Sequence, residues 1–187
     1  MIVSGQPKPE RLFIGVPLSA DARTAIALAL PKSIPGKVVA PDKWHFTLRF
    51  LGASSPAARD ASISGLASAN LGRAFSIQLG ELGAFPKPRR ARVLWLGVTR
   101  GGERLSALAA IAEQAARAGG FAPEARRFTP HLTLSRIDPP RSIEPLLQSK
   151  RKIDIEMLVD SVILYRSRLG GGPARYEEVE RFALTRS

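Results

Sequence analysis

A short strand-like segment that occurs twice constrains this chain more than any other feature of its sequence. The segments are His45-Phe46-Thr47-Leu48 and His131-Leu132-Thr133-Leu134, and they begin 86 residues apart. Side chains of a β-strand alternate between its two faces, so the His and Thr of each segment share one face and the two apolar residues share the other. The apolar face predicts a strand packed on a core, and the polar face predicts an open surface or cleft.

The sequence around the two segments predicts one domain, residues 1–187, made of two intertwined lobes. Each half contains a helix, then a strand that begins at its histidine, then a shorter helix, which suggests two lobes related by pseudo-symmetry. A chain of 187 residues suits one compact domain. Helices and strands are mixed without strict βαβ alternation, so we expect an α+β fold with antiparallel or mixed sheets.

Local signals place the individual elements. Ser19 and Ser55 are candidate helix N-caps, and Pro56 follows Ser55 at the first helical position. We expect helices over residues 19–30, 55–70, 103–118 and 141–150. We expect strands over residues 12–17, 43–51, 75–82, 92–98 and 131–136, with a closing hairpin of 153–165 and 175–184 around Gly170-Gly171-Gly172-Pro173.

Composition excludes several classes of protein and favours an anionic partner. The absence of cysteine excludes thiol nucleophiles, iron–sulfur clusters and cysteine zinc sites. The 28 Lys and Arg against 16 Asp and Glu give a net charge of +12, which favours a polyanion such as nucleic acid. Apolar runs are far below the ~20 residues that span a bilayer, and the first ten residues lack an apolar signal region. We therefore expect a cytoplasmic protein with no membrane contact and no obligate protein partner.

His45 and His131 are the only histidines, so any imidazole chemistry must fall on them. If the two lobes face each other, two imidazoles that can serve as acid and base converge with two hydroxyls that can hold phosphate oxygens. One alternative is that each histidine is an ordinary strand residue bonded to a backbone carbonyl. A metal site is the other, but no Asp, Glu or Cys lies at ligand spacing, so we expect neither a metal nor another cofactor.

Both segments and their surroundings resemble the two-histidine (2H) phosphoesterases, and within them the LigT-like RNA 2′,3′-cyclic phosphodiesterases, also called 2′-5′ RNA ligases. The similarity covers about residues 10 to 184. The stretches that carry it are Arg11-Leu12-Phe13-Ile14, Trp44-His45-Phe46-Thr47-Leu48-Arg49-Phe50-Leu51-Gly52, Leu82-Gly83-Ala84-Phe85-Pro86, Arg92-Val93-Leu94-Trp95, Phe128-Thr129-Pro130-His131-Leu132-Thr133-Leu134-Ser135-Arg136 and Leu164-Tyr165-Arg166-Ser167. Phe46 departs from the leucine usual in the family, on the face expected to meet the core.

The resemblance implies a bilobal α+β fold, with antiparallel sheets and helices around a central cleft lined by both segments. It implies metal-independent hydrolysis of a 2′,3′-cyclic phosphate, at an RNA end or on a nucleoside, to a 2′-phosphate. By the same resemblance His45 is the proton donor to the departing 3′ oxygen, and His131 is the proton acceptor that activates water. Thr47 and Thr133 hold the phosphate, and Arg136 neutralises its charge.

Other residues are weaker candidates. Strand alternation puts Arg136 out of phase with His131, so the strand must bend for it to reach the site. Arg49 is in phase with His45 and Thr47, and is the second candidate for the phosphate. The candidates for stacking on a base are Trp44, Phe85, Phe128 and Tyr165.

Two other functions stay open at this point. One is a 2′-5′ RNA ligase that joins tRNA halves through the same residues. The other is an RNA-binding module without catalysis, which the net charge of +12 alone would support.

Overall fold

A computed structural model describes residues 9–149, 153–168 and 174–186 of the chain. The predicted turn Gly170-Gly171-Gly172-Pro173 and residues 1–8 lie outside the described residues. The fold is α+β, as predicted. In the described residues the strands are Glu10–Pro17 (β1), Lys37–Val38 (β2), His45–Ser54 (β3), Phe75–Phe85 (β4), Ala91–Arg100 (β5), His131–Arg141 (β6), Ile155–Val159 (β7), Ser161–Arg168 (β8) and Arg175–Ala183 (β9). The α-helices are Ala20–Ala29 (α1), Pro56–Ser68 (α2), Gly102–Ala118 (α3) and Glu144–Leu147 (α4).

These strands form one curled antiparallel sheet rather than a separate sheet for each lobe. Its order is β7-β4-β5-β6-β3-β1-β8-β9, and β2 pairs with β6. The two predicted histidine strands, β3 and β6, are neighbours in the middle of this sheet, where Phe46 pairs with Leu132. This pairing connects the two halves of the chain through their central strands.

A pseudo-two-fold relationship connects the halves. Phe46 and Leu132 occupy the same position in the two repeated segments and face each other across the sheet. The same symmetry relates β5 to β1, β4 to β8 and β7 to β9, the strands at matching distances on either side of the β6–β3 pair. The predicted strand over 153–165 is thus interrupted at Asp160, since β7 pairs with β4 whereas β8 pairs with β1.

Helices α1 and α2 begin where the sequence predicts, whereas the helix predicted over 141–150 is confined to Glu144–Leu147 because β6 continues to Arg141. Ser19 and Ser55 are the N-caps of α1 and α2, and their hydroxyls accept hydrogen bonds from the amides of Ala22 (3.1 Å) and Ala58 (3.2 Å). α2 has 13 residues and α1 has 10, so the expected shortening of the second helix in the first half is wrong. α3 packs on β3 and α2 with a row of small and branched apolar side chains. No helix in the described part of the chain has the length and apolar character needed to cross a membrane.

Candidate active site

The two histidines are held in the same way at the starts of β3 and β6. Nδ1 of His45 donates a hydrogen bond to the carbonyl oxygen of Lys43 (2.8 Å), and Nδ1 of His131 donates one to the carbonyl oxygen of Thr129 (2.7 Å). A carbonyl only accepts, so the proton of each neutral imidazole is fixed on Nδ1. Each Nε2 therefore keeps its lone pair for another proton, which is what an acid–base pair needs.

The register between β3 and β6 brings the threonines to the histidines. With Phe46 opposite Leu132, an antiparallel register sets His45 beside Thr133 and Thr47 beside His131, all on the face opposite the buried Phe46 and Leu132. Neither threonine hydroxyl has a hydrogen-bond partner among the described residues, whereas both Nδ1 atoms do. The two hydroxyls are thus available to an external acceptor such as a phosphate oxygen. We call this face of the sheet the site face.

A β-bulge brings Arg136 onto the site face. In β6, Thr133 pairs with Trp95 and Ser135 pairs with Leu94, so Leu134 is an extra residue. The strict alternation expected from the sequence is broken there, and Arg136 pairs with Val93, on the same face as Trp95 and Thr133. The Arg136 side chain is exposed and forms no ion pair within the described chain. Its charge acts on both imidazoles.

An equivalent bulge in β3 turns Arg49 away from the site face. The prediction of Arg49 as a phosphate ligand is therefore wrong. Thr47 pairs with Gly15 but Arg49 pairs with Ile14, which lies on the other face of β1. There Nε of Arg49 donates to Glu113 of α3 at 2.5 Å, and its guanidinium also bonds the carbonyl oxygens of Phe50 and Ala122. Arg49 therefore joins the sheet to its covering helix and does not face the histidines.

Aromatic rings surround each histidine. The His131 ring meets the Phe85 ring edge-on at a centroid distance of 4.9 Å, and the Trp95 ring lies 6.4 Å away. Phe85 and Tyr165 occupy equivalent positions, because they pair with Val93 and Phe13 in strands related by the pseudo-symmetry. Phe85 contacts the His131 ring, and Tyr165 contacts the His45 ring. The predicted stacking of these two rings on a base stays a prediction.

Three of these rings, those of Phe13, Tyr176 and Trp95, are not predicted from the sequence as part of the site. Phe13 lies 4.7 Å from the His45 ring, and Tyr176 meets that ring edge-on at 5.1 Å. The sequence does not indicate these contacts, because β1 and β9 are distant from His45 in the chain and only the strand order of the sheet brings them close to it. Trp44 was a stacking candidate, but it is only 3% exposed and lies in the hydrophobic core, so that prediction is wrong.

The missed third ring is that of Trp95, which lies 5.3 Å from Phe85. Phe128 is half-buried against the core, and its stacking role stays a prediction.

Burial keeps both imidazoles neutral. It lowers the pKa of His45 to about 4, partly opposed by the hydrogen bond to Lys43, and the charges of Arg136 and His131 lower it further. Burial also lowers the pKa of His131, again against its backbone hydrogen bond, with a smaller contribution from Arg136. Two neutral imidazoles and an unpaired guanidinium form a site that an anion would complement.

The described residues contain no cluster of three or more His, Asp or Glu side chains that could hold a metal ion.

Comparison with known proteins gives the family. The model of the 2′-5′ RNA ligase superfamily matches residues 32–171, which include both histidine segments. The chain belongs to this superfamily.

Several curated members of the superfamily are similar over most of their length. The RNA 2′,3′-cyclic phosphodiesterase of Escherichia coli is 34% identical over 182 residues, 95% of this chain and 98% of that protein. The enzyme of the same name from Aquifex aeolicus is 34% identical over 186 residues, with the same two coverages. That of Aeropyrum pernix is 40% identical over 126 residues, 66% of this chain and 70% of that protein.

Solved structures of the superfamily share the fold. Escherichia coli LigT in its apo form matches with a TM-score of 0.75 at 31% identity, over 96% of this chain and 99% of that one. A structure of the same protein complexed with 3′-AMP matches with a TM-score of 0.75 at 29% identity, over 95% and 99%. The LigT-like architecture expected from the sequence is confirmed.

Proposed function

We propose that this chain is an RNA 2′,3′-cyclic phosphodiesterase. The observation that carries the proposal is the site face itself. There, two Nδ1-fixed imidazoles lie with two threonine hydroxyls and an arginine that have no side-chain partner among the described residues. The curated relatives bear this activity in their names, and a related structure is complexed with a nucleotide. The substrate class is therefore RNA, or a nucleotide that ends in a cyclic phosphate.

The reaction follows from placing the cyclic phosphate between the two histidines. Thr47 and Thr133 donate hydrogen bonds to its non-bridging oxygens, and Arg136 neutralises their charge. Nε2 of His131 takes a proton from water as the water oxygen attacks phosphorus. The bond from phosphorus to O3′ breaks, and Nε2 of His45 gives its proton to O3′. The products are a 2′-phosphate and a free 3′ hydroxyl.

His45 needs the bound substrate in order to act as the proton donor. With a pKa of about 4, His45 is neutral near pH 7 when the site is empty. A bound phosphate anion offsets the charge of Arg136 and favours the imidazolium, so it raises the pKa of His45. The proton donor is thus formed when substrate binds.

The test is hydrolysis of a nucleoside 2′,3′-cyclic phosphate with and without EDTA, and phosphorus NMR to identify the product. We expect a 2′-phosphate and no effect of EDTA. Each proton transfer contributes roughly 10²–10⁴-fold to the rate, so His45→Ala and His131→Ala should each lose at least about a hundredfold in kcat. Wild-type turnover in either variant, with its fold shown intact by circular dichroism, would reject the proposal.

A second candidate, RNA ligation, has the superfamily name in its favour. The 5′ hydroxyl of a second RNA would replace water in attacking phosphorus, and a 2′-5′ bond would form with the same acid and base. An end-joining assay on paired tRNA half-molecules distinguishes ligation from hydrolysis. An RNA-binding module without catalysis would instead bind RNA equally well after either histidine is replaced. A cytoplasmic location and the lack of an obligate protein partner stay predictions from the sequence.

A further inference from the structure

Lys37 is a cation on the site face that the reaction described above does not use. It belongs to β2, which pairs with β6 so that Lys37 lies directly opposite Arg136. Residues directly opposite each other in an antiparallel pair have their side chains on the same face, with Cα atoms roughly 4.5–5.5 Å apart. Because Arg136 lies on the site face, Lys37 lies there as well, and its side chain is exposed.

The segment before Lys37 is fixed to the bulged part of β6. The hydroxyl of Ser135 donates a hydrogen bond to the carbonyl oxygen of Pro35 (2.7 Å). Gly36 has a φ of 86°, and a Cβ atom on it would collide with the carbonyl oxygen of Arg136. The backbone can approach β6 this closely only with glycine at position 36. The position of Lys37 beside Arg136 is therefore built into the fold.

The two cations face each other without a carboxylate to balance them. Neither the Lys37 ammonium nor the Arg136 guanidinium forms an ion pair with the described residues. The one carboxylate of β6, that of Asp138, lies 3.9 Å from Arg92 instead. Like charges directly opposite each other on two strands destabilise the pairing. An anionic ligand that meets both cations would remove this repulsion.

The charge of the substrate shows what Lys37 can bind. A 2′,3′-cyclic phosphate is a phosphodiester with one negative charge, which Arg136 offsets in the proposed reaction. A second cation calls for a second anion. In RNA the next anion is the phosphodiester that joins the last nucleotide to the rest of the chain, and a free nucleoside cyclic phosphate lacks it. A lysine suits this anion, because its ammonium is a compact charge on a flexible stem.

We infer that Lys37 binds the phosphodiester on the 5′ side of the nucleotide that carries the cyclic phosphate. This inference rests on the proposed function and narrows its substrate class, since the site then binds an RNA end more tightly than a mononucleotide. The contact is to the backbone, so it positions the RNA without reading its sequence.

The experiment compares substrates that differ only in this second charge. One is a dinucleotide of deoxyadenosine and adenosine that ends in a 2′,3′-cyclic phosphate, and another is the same dinucleotide with an uncharged methylphosphonate linkage. The third is adenosine 2′,3′-cyclic phosphate. The enzymes are the wild type, Lys37→Gln, Lys37→Arg and the matched control Arg117→Gln. Arg117 is an exposed cation in the last turn of α3, which covers the opposite face of the sheet. Low ionic strength keeps the screening of exposed charges small.

The wild type should have a KM for the charged dinucleotide about five- to tenfold below its KM for the neutral one. Lys37→Gln should remove this difference by raising KM for the charged dinucleotide alone, whereas Lys37→Arg and Arg117→Gln should keep it. The inference is overturned if the wild type does not distinguish the two dinucleotides. It is also overturned if Lys37→Gln raises KM equally for adenosine 2′,3′-cyclic phosphate, or if Arg117→Gln has the same effect as Lys37→Gln.

A binding measurement separates this inference from the proposed function. If the wild type hydrolyses no cyclic phosphate, the proposed function fails, and calorimetry with the two dinucleotides ending in a 2′-phosphate tests Lys37. Lys37→Gln should then bind the charged dinucleotide about five- to tenfold more weakly than the wild type does, and the neutral one equally well. Equal affinities of the two proteins for the charged dinucleotide would reject the subsite. Turnover that is indifferent to Lys37 would reject the subsite and leave the function standing.

Discussion

Phe46 and Leu132 face each other across the junction of β3 and β6, and each is the second residue of its histidine segment. Both side chains are completely buried on the face opposite the histidines. This pair fixes the offset between the two strands, and the offset in turn sets each histidine beside the threonine of the other segment. The same contact therefore packs the core on one face of the sheet and sets the arrangement of the site on the other.

The contact predicts that a cavity at Phe46 will disturb the site as well as the core. Phe46→Ala should lower the free energy of unfolding by about 3–5 kcal/mol and reduce kcat, because β3 and β6 lose the packing that holds their register. Phe46→Leu is the matched control, since Leu132 already fills the equivalent position. Denaturant unfolding and kcat measured on both variants check this, and equal kcat in the two would contradict it.

Much of the fold could be predicted from the sequence because local signals determine it. Serine caps mark the starts of α1 and α2, and alternation within each histidine segment separates its polar and apolar faces. The two bulges could not be predicted, because a bulge depends on the register with a neighbouring strand that is distant in the chain. That is why strand alternation suggested Arg49 for the site, whereas the bulges direct Arg136 there and turn Arg49 toward Glu113.

The two arginines should therefore respond differently to the same substitution. Arg136→Gln should raise KM for a cyclic phosphate by about ten- to a hundredfold, because it removes the unpaired charge beside both histidines. Arg49→Gln should leave KM unchanged and lower the free energy of unfolding by about 1–3 kcal/mol, because it removes the charged hydrogen bonds to Glu113 and to the carbonyl oxygen of Ala122. Steady-state kinetics and denaturant unfolding of both variants measure the difference. A rise in KM for Arg49→Gln as large as that for Arg136→Gln would show that the bulge does not separate their roles.

The titration of the histidines should depend on the ligand. In the free protein, proton NMR should show His45 titrating with a pKa of about 4 and His131 titrating below the ordinary value of 6.5. Lowered values mean that the folded protein binds these protons more weakly, so both rings are neutral near pH 7. A bound nucleotide phosphate places negative charge beside them and should raise both pKa values. His131→Gln assigns the two signals. A pKa of His45 that falls when the nucleotide binds would contradict the proposed origin of the proton donor.

Gly83 leaves the space that the Trp95 ring occupies, and the Trp95 and Phe85 rings lie beside His131. A Cβ atom on Gly83 would lie 2.1 Å from Cζ2 of Trp95, so the indole occupies the space that any side chain here would fill. Gly83→Ala must displace Trp95, whose ring lies 5.3 Å from Phe85, and Phe85 in turn meets His131 edge-on. We expect a destabilisation of about 1–3 kcal/mol and a lower kcat, because the ring against His131 moves with its neighbour.

A smaller ring at position 95 tests whether this collision is the cause. Trp95→Phe in the Gly83→Ala background should recover part of the lost stability and of kcat, because the shorter side chain leaves room for the new methyl group. Gly102→Ala is the matched control, since its Cβ would meet Pro130 at 3.6 Å, an ordinary contact. Thermal unfolding and kcat of the wild type and these three variants decide. If Gly83→Ala keeps wild-type kcat, the packing of Trp95 on Phe85 does not position the His131 imidazole.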